Sequence, residues 1–590
     1  MRVQSRRKSH GQSFLQGALV LTAGMALVKI LGALFKIPLT YAVGEYGIGL
    51  FNTAYHFYGP VFSLATTGFP VAVSRLVSEN SSLGRWNDAR QVKRVAMPLF
   101  LGFGAVGMTA TVLLAPWYCR LVPGAAYALL PMLVLAPAVL FACASSVYRG
   151  YYEGMRNMVP TAFSQILEAL SKLGLGLFAA GFTVAWGREA YALHGSVLGV
   201  VPAGEDEAQF LILSLGTAAA MLGVTVGSLF SLLYVGLRFH FHGDGTVPRL
   251  FRESPPARSF RETAKRLLAM TTPLAVGSAI SSVAGLLDAT LLQGRIAWVL
   301  ERYPQRFLAA CGKALPGVYQ ENPSSIPTYL YGCYTLAMTV YLLVPGVTQA
   351  LGVSALPSVT GAWARKNFPE LRGKMEAVVR VAAMFCCPAG LGLAALSRPL
   401  TVLLYGEGAS TVLVAPCLDL LGIASLPAAM CGPLSSMLQA VGRADLTSKL
   451  LLAAMGIKLG ASWVLCGIPE VHILGAPLGT LLCYAFLAIS QCLCLCRVTK
   501  VRLSLRSVFL RPLACAFLCG ATARLTWNWM ASVLPSGRAG QAAAVLGGIL
   551  WGAAMYLVSL LLSRGIGKND LLFLPQGQKI AKMLEKQGWI

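Results

Sequence analysis

A chain of 590 residues that is 56% hydrophobic and 12% charged lies outside soluble globular usage, where charged residues make up about a quarter. Its formal net charge of +25 raises nucleic acid as a partner, but the cations gather in short connectors between long apolar runs, the pattern of a polytopic membrane protein. No GxxxxGK[ST] phosphate loop, HExxH motif or Cys/His cluster at ligand spacing occurs in it, which argues against nucleotide hydrolysis and a metal centre.

Apolar runs of the length a bilayer demands, about 18 residues or more, recur about fourteen times. In chain order they fall near 14–36, 47–74, 95–116, 125–147, 160–186, 208–237, 268–294, 326–356, 376–397, 411–440, 447–468, 472–496, 508–534 and 541–563. Each is predicted to be an α-helix, because a lone span must satisfy its own backbone groups. The opening MRVQSRRKSHGQS has the charge of a signal peptide without a small-residue cleavage site, so the first span is expected to be retained. With the amino terminus inside, cytoplasmic segments hold about 32 Lys and Arg and external ones about 8, which predicts both termini in the cytoplasm.

The basic, Pro- and Gly-rich connector from Arg238 divides the chain. The expected organisation is a six-helix lobe over 1–237, a basic cytoplasmic connector over 238–266, and a second six-helix lobe over 267–500. Helices 13 and 14 follow over 501–564, then a basic cytoplasmic tail over 565–590. Sliding EGMRNMVPTAFSQILEALSKLG from Glu153 onto QAVGRADLTSKLLLAAMGIKLG from Gln439 matches Thr161 to Thr447, Lys172 to Lys458 and Gly174 to Gly460. An even number of spans per lobe makes this a parallel repeat, pseudo-symmetric about a central cavity. The polar stretch from Glu301 is the expected insertion in the second lobe.

Charges within the spans are the candidate site residues, because a charge near the bilayer centre costs about 2.5–3.5 kcal/mol unless it meets a partner or a wet cavity. Lys29 and Lys36, seven residues apart, share a face of the first span; Lys29, past the midplane, is the first candidate to line a cavity, whereas Lys36 falls near the outer end, where it can snorkel to the interface. Lys172 and Lys458 fall near the midplane at matched positions of the lobes, with Glu168 one turn before Lys172. Arg295 joins these as a candidate anion contact. Asp288, Asp419, His56 and Glu168 are the candidates for ion coupling. Span cations outnumber span anions, which suits an anionic substrate.

The segment KILGALFKIPLTYAVGEYGIGLFNTAYHFYGPVFSLATTGFPVAVSRLVSE from Lys29 and the turn YRGYYEGMRNMVPTAFSQILE from Tyr148 resemble the signature of the stage V sporulation protein B family. That family is part of the polysaccharide biosynthesis branch of the superfamily of multidrug, oligosaccharidyl-lipid and polysaccharide exporters, together with MurJ-type lipid II flippases. The resemblance implies a multi-pass protein of the bacterial cytoplasmic membrane and not an enzyme. It would move an undecaprenyl-diphosphate-linked sugar across the bilayer by alternating access, with cavity cations meeting the diphosphate and membrane lipid holding the prenyl chain. No cofactor is expected beyond a coupling cation, H⁺ or Na⁺, or the membrane potential, and cell-wall synthesis enzymes are the expected protein partners. Span eight, from Tyr329, lacks the early arginine of the MurJ-type pattern. The rival readings are a cation-coupled multidrug exporter, which would favour cavity carboxylates, and a non-transporting scaffold acting through the basic connector.

Overall fold

The computed structural model describes residues 14–243, 248–501, 503–504, 506–535 and 537–563, so the predicted basic tail over 565–590 lies outside the described residues. Helix dominates the described residues, with one isolated bridge, Val197 to Val200. The helices of the first half are α1 (Phe14–Ser63), α2 (Phe69–Ser82), α3 (Trp86–Leu121), α4 (Leu129–Gly154), α5 (Val159–Ser171), α6 (Leu177–His194), α7 (Glu205–His242), α8 (Pro248–Glu253) and α9 (Phe260–Arg302). Next come α10 (Pro304–Cys311), α11 (Gly317–Glu321), α12 (Ile326–Tyr341), α13 (Leu343–Ala364), α14 (Phe368–Ala395) and α15 (Ser397–Tyr405). The chain closes with α16 (Thr411–Ala440), α17 (Ala444–Leu465), α18 (Gly475–Thr499), α19 (Arg511–Val533) and α20 (Arg538–Leu562).

Thirteen stretches of the described residues are long and apolar enough to span a membrane. One of them, Leu27–Ser63, contains Gly44 at φ 66° and ψ −179°, where the helix breaks. It therefore holds two spans, and the expectation of about fourteen is met. The break is later than the sequence indicated: the first segment of α1 runs through Pro38, which membrane helices tolerate, and ends at Gly44, where glycine's freedom at positive φ lets the chain turn. Lys36 consequently lies eight residues, about 12 Å, before the break instead of at the helix end. The second span in turn continues through a π turn, Leu64–Gly68, into α2.

The chain forms two compact units, Met1–Gln293 with Ser324–Gly332, and Gly294–Pro323 with Cys333–Ile590. In the first unit α4 packs on α2, α3 and α7, while α5 and α6 also pack on α7. The most hydrophobic part of α7 is accordingly 78% buried, against 22% for that of α3. In the second unit α16 is the central helix, packed on α13, α14 and α18, with α17 against α18 and the pair α19 and α20 against α14. The insertion from Glu301 supplies α10 and α11. Its Cys311 is buried, and burial pushes the thiol up to about 12.

The repeat is clearest in the turns. Met155, Arg156 and Asn157 donate their backbone N–H groups to Tyr151, Glu153 and Tyr152, as Val441, Gly442 and Arg443 do to Met437, Gln439 and Leu438. The two sets are displaced by 286 residues, as is Glu153 from Gln439. The turn at Gly84 has the same bonds as that at Lys366, and all four central residues have positive φ. This is the left-handed helix cap with its paired back-bonds to orphan carbonyls.

Within the first unit the second span and the start of α12 touch backbone to backbone. A Cβ at Gly49 would collide with the Thr328 carbonyl, and one at Gly332 with the Glu45 carbonyl. Beside this contact Gln293 donates to Thr53 Oγ1 at 3.1 Å and accepts from Thr328 Oγ1 at 3.2 Å, so buried polar groups close on one another.

Candidate functional site

Four charged groups of the first unit, Lys36, Lys172, Glu168 and Arg149, gather around α1, α5 and the helical turn that follows α5. Lys36 Nζ donates to Asn52 Oδ1 at 3.1 Å, across the break at Gly44, and Asn52 anchors its amide on the Ile48 carbonyl. Lys172 opens a π turn, Lys172–Gly176, between α5 and α6. A turn of this kind widens the helix and re-aims the side chains it carries, which is why such turns mark functional positions. Lys172 Nζ stands 4.8, 5.3 and 5.2 Å from the ring centroids of Phe35, Phe51 and Tyr55. Phe51 and Tyr55 are stacked at 5.9 Å, and Phe35 tilts against Phe51 at 5.7 Å. The ammonium is thus held against ring faces, whose quadrupoles attract a cation.

Because Phe35 and Phe51 are the chain neighbours of Lys36 and Asn52, the Lys172 ammonium lies in the same region as that of Lys36. Glu168 is one turn before Lys172, but its carboxylate already accepts from Arg149. That guanidinium, 8% exposed, donates Nη2–H to Glu168 Oε2 at 2.9 Å and to Ser231 Oγ at 2.6 Å, and Nε–H to Ser164 Oγ at 2.9 Å. Ser228 Oγ adds a longer contact to Glu168 Oε1, 3.4 Å. Like charges of Lys36 and Lys172 disfavour each other, and the nearest carboxylate is engaged elsewhere. An anion with two negative oxygens would relieve both.

The remaining predicted residues fall in other places. Lys29 is exposed, two turns before Lys36 in the same helix. His56 faces α9 where a Cβ at Gly285 would lie 3.4 Å from Nδ1, and Asp288 is half-buried further along α9. Arg295, Lys458 and Asp419 belong to the second unit. Arg295 lies between two indoles, its Cζ 3.9 Å from the Trp298 ring and 4.4 Å from the Trp463 ring, and donates Nε–H to the Trp463 carbonyl at 3.1 Å. Lys458 is half-buried in the uninterrupted helix α17. Asp419 accepts from the Ser397 hydroxyl. The structure therefore brings together Lys36, Lys172 and Glu168 from the predicted set. Sequence reasoning missed Arg149, which sits in the motif from Tyr148 yet reads as an ordinary span-end cation. It also missed the rings of Phe35, Phe51 and Tyr55, spaced for one helix face only once the break at Gly44 is known.

A family model described as "Polysaccharide biosynthesis protein" matches residues 14–204, the part of the chain that carries the lysine cluster. The chain is 25% identical to stage V sporulation protein B of Bacillus subtilis over 96% of its own length and 98% of the relative's. It is 23% identical to lipid II flippase MurJ of the same organism, over 67% of this chain and 66% of that one. Among solved structures, lipid II flippase MurJ in an inward closed conformation superposes with a TM-score of 0.56 at 14% identity, covering 92% of this chain and 98% of that one. An inward-facing multidrug resistance MATE family transporter of the MOP superfamily gives 0.55 at 14% identity, over 81% and 96%. The chain is a multi-pass membrane protein with the fold of MOP-superfamily transporters, and its resemblance to stage V sporulation protein B, legible in its amino-terminal segment, is borne out along nearly its whole length.

Proposed function

We propose that this chain translocates a polyprenyl-diphosphate-linked sugar, of the lipid II kind, across the bacterial cytoplasmic membrane, with both termini cytoplasmic. Alternating access of two six-helix lobes is the proposed mechanism, with Lys36 and Lys172 meeting the diphosphate and Lys29 contacting it from two turns away. The observation that carries this reading is the gathering of two lysines from helices far apart in sequence: Lys172 lies over the rings of Phe35 and Phe51, the chain neighbours of Lys36 and of its hydrogen-bond partner Asn52. A diphosphate has the charge that such a pair lacks, and charge-assisted bonds to phosphate oxygens are the strong ones. The curated relatives at full or partial length, one of them named a lipid II flippase, support the substrate class. Because Glu168 is engaged by Arg149, we assign ion coupling in the first unit to Asp288 and His56.

The test is reconstitution in vesicles with a fluorescent lipid-linked sugar and a membrane-impermeant quencher. The protein is expected to make the inner-leaflet pool accessible, and the Lys36→Met/Lys172→Met variant, shown to be folded, is expected to fail. Unchanged translocation in that variant would sink the assignment. In cells, depletion is expected to leave the lipid-linked precursor on the inner leaflet.

A further inference from the structure

The second unit contains a cavity of about 770 Å³ that the lysine cluster does not involve. It lies where the end of α14, the start of α15, the first turns of α16 and the middle of α19 meet, and its charged lining is Arg398, Glu407, Asp419 and Arg524. We infer that this cavity binds the phosphoethanolamine headgroup of a membrane phospholipid.

Two guanidinium groups and two carboxylates make the lining neutral as a whole while offering both signs of charge. Arg524 donates Nη1–H to the Ala395 carbonyl at 3.1 Å and stands 5.0 Å from the Trp527 ring, which fixes its direction. Asp419 is held by the buried Ser397 hydroxyl and stays exposed to the cavity. Arg398 and Glu407 are exposed at the rim. The turn carrying Glu407 is itself fixed: Thr411 Oγ1 donates to the Gly406 carbonyl at 3.0 Å and accepts from Gly408 N–H at 3.3 Å. Simple anions would meet the carboxylates and simple cations the arginines. A zwitterion satisfies both, its phosphate oxygens on Arg398 and Arg524 and its ammonium on Asp419 and Glu407.

Depth and surroundings select a lipid as the source. Asp419 lies eight residues, about 12 Å, into α16, and Arg524 about 14 Å before the end of α19. The cavity therefore runs from the helix ends, where Arg398 and Glu407 form its rim, past a headgroup layer of about 5–7 Å to the depth of the acyl chains, so a lipid reaches it from the side. The volume is in the range of about 300–1,000 Å³ typical of ligand sites. Val412 in the lining is 62% exposed and offers an apolar surface at the cavity to the chains of a lipid whose head is inside it.

Native mass spectrometry of the full-length protein in detergent, titrated with phosphatidylethanolamine and phosphatidylglycerol of matched chains, tests this. Retention of the ethanolamine lipid at least tenfold above the glycerol lipid is expected. Arg524→Gln should lower retention of both about tenfold, whereas Asp419→Asn should abolish the preference between them. The rim variants Arg398→Gln and Glu407→Gln, at exposed positions, should reproduce these two patterns more weakly and guard against misfolding. Equal retention of the two lipids, variants without effect, or saturation by free phosphoethanolamine as readily as by the lipid would each overturn the inference.

Discussion

The segments from Glu153 and from Gln439 fold into the same turn, with the same backbone bonds and the same left-handed residue at its centre, yet their side chains do different things. In the first unit Arg149 is locked onto Glu168, and Lys172 leaves the helix through a π turn to lie against three rings. Shifted by the same 286 residues, the equivalents of Arg149, Glu168 and Lys172 are Ser435, Ala454 and Lys458. Ser435 accepts from Gln491, Ala454 is fully buried in an apolar cluster, and Lys458 is in an unbroken helix. The repeat thus preserves backbone topology and not chemistry. One copy of the scaffold holds an ion pair and a caged cation, the other a hydrogen-bonded serine, a buried alanine and a lysine on an unbroken helix.

The largest effect is expected where the copies differ most. In Lys36→Met/Lys172→Met two charge-assisted contacts are lost, each worth about 1.5–3 kcal/mol, so translocation of a lipid-linked sugar should fall at least about 100-fold. Lys458→Met should cost less than about tenfold. Equal loss in the two variants would mean that the copies share the work, contrary to the contrast drawn from their packing.

The Arg149 pair is next. Arg149→Met alone leaves a partly buried Glu168 carboxylate without its partner and should lower stability by about 3–5 kcal/mol. Arg149→Met/Glu168→Ala removes both charges, which the second unit also lacks at these positions, and should recover most of that loss, because replacing a whole buried pair by apolar groups is often neutral. Thermal unfolding in detergent of the two singles and the double reads the coupling. Additive losses would show that the pair is not a unit.

How much of this was legible before the structure follows from what each signal depends on. Span number and order depend on apolar length alone, and survive. The ends of the first two spans depend on whether Pro38 or Gly44 breaks the helix, and proline draws attention that belongs to the glycine's φ of 66°. That error placed Lys36 at the helix end, whereas its partner Asn52 comes from beyond the break. The cation–π cage of Lys172 was out of reach, because the π turn that aims it depends on packing against α7 and not on local spacing. Arg295 was legible as a charge needing a partner. Its partners, two indoles and a backbone carbonyl, come from Trp298 one turn on and from Trp463, distant in sequence.

Arg295 supplies a smaller effect within the second unit. Arg295→Gln removes the stack between Trp298 and Trp463 and should cost about 1–2 kcal/mol, seen as a lower unfolding temperature. Arg295→Lys should restore only part of it, because an ammonium lacks the planar face that packs between the rings.

The smallest effect bears on the repeat itself. Arg156 and Gly442 occupy the same position of the same turn at φ 61° and 81°, where a side chain costs about 1–2 kcal/mol and glycine almost nothing. Gly442→Arg should therefore destabilise by about 1 kcal/mol, while Arg156→Gly should stabilise by several tenths, the gain reduced by glycine's greater freedom in the unfolded chain. Unfolding curves of the two exchanges should move in opposite directions. Were both to destabilise, Arg156 would be contributing a side-chain interaction that outweighs its backbone strain, and the two turns would be alike in shape but not in what stabilises them.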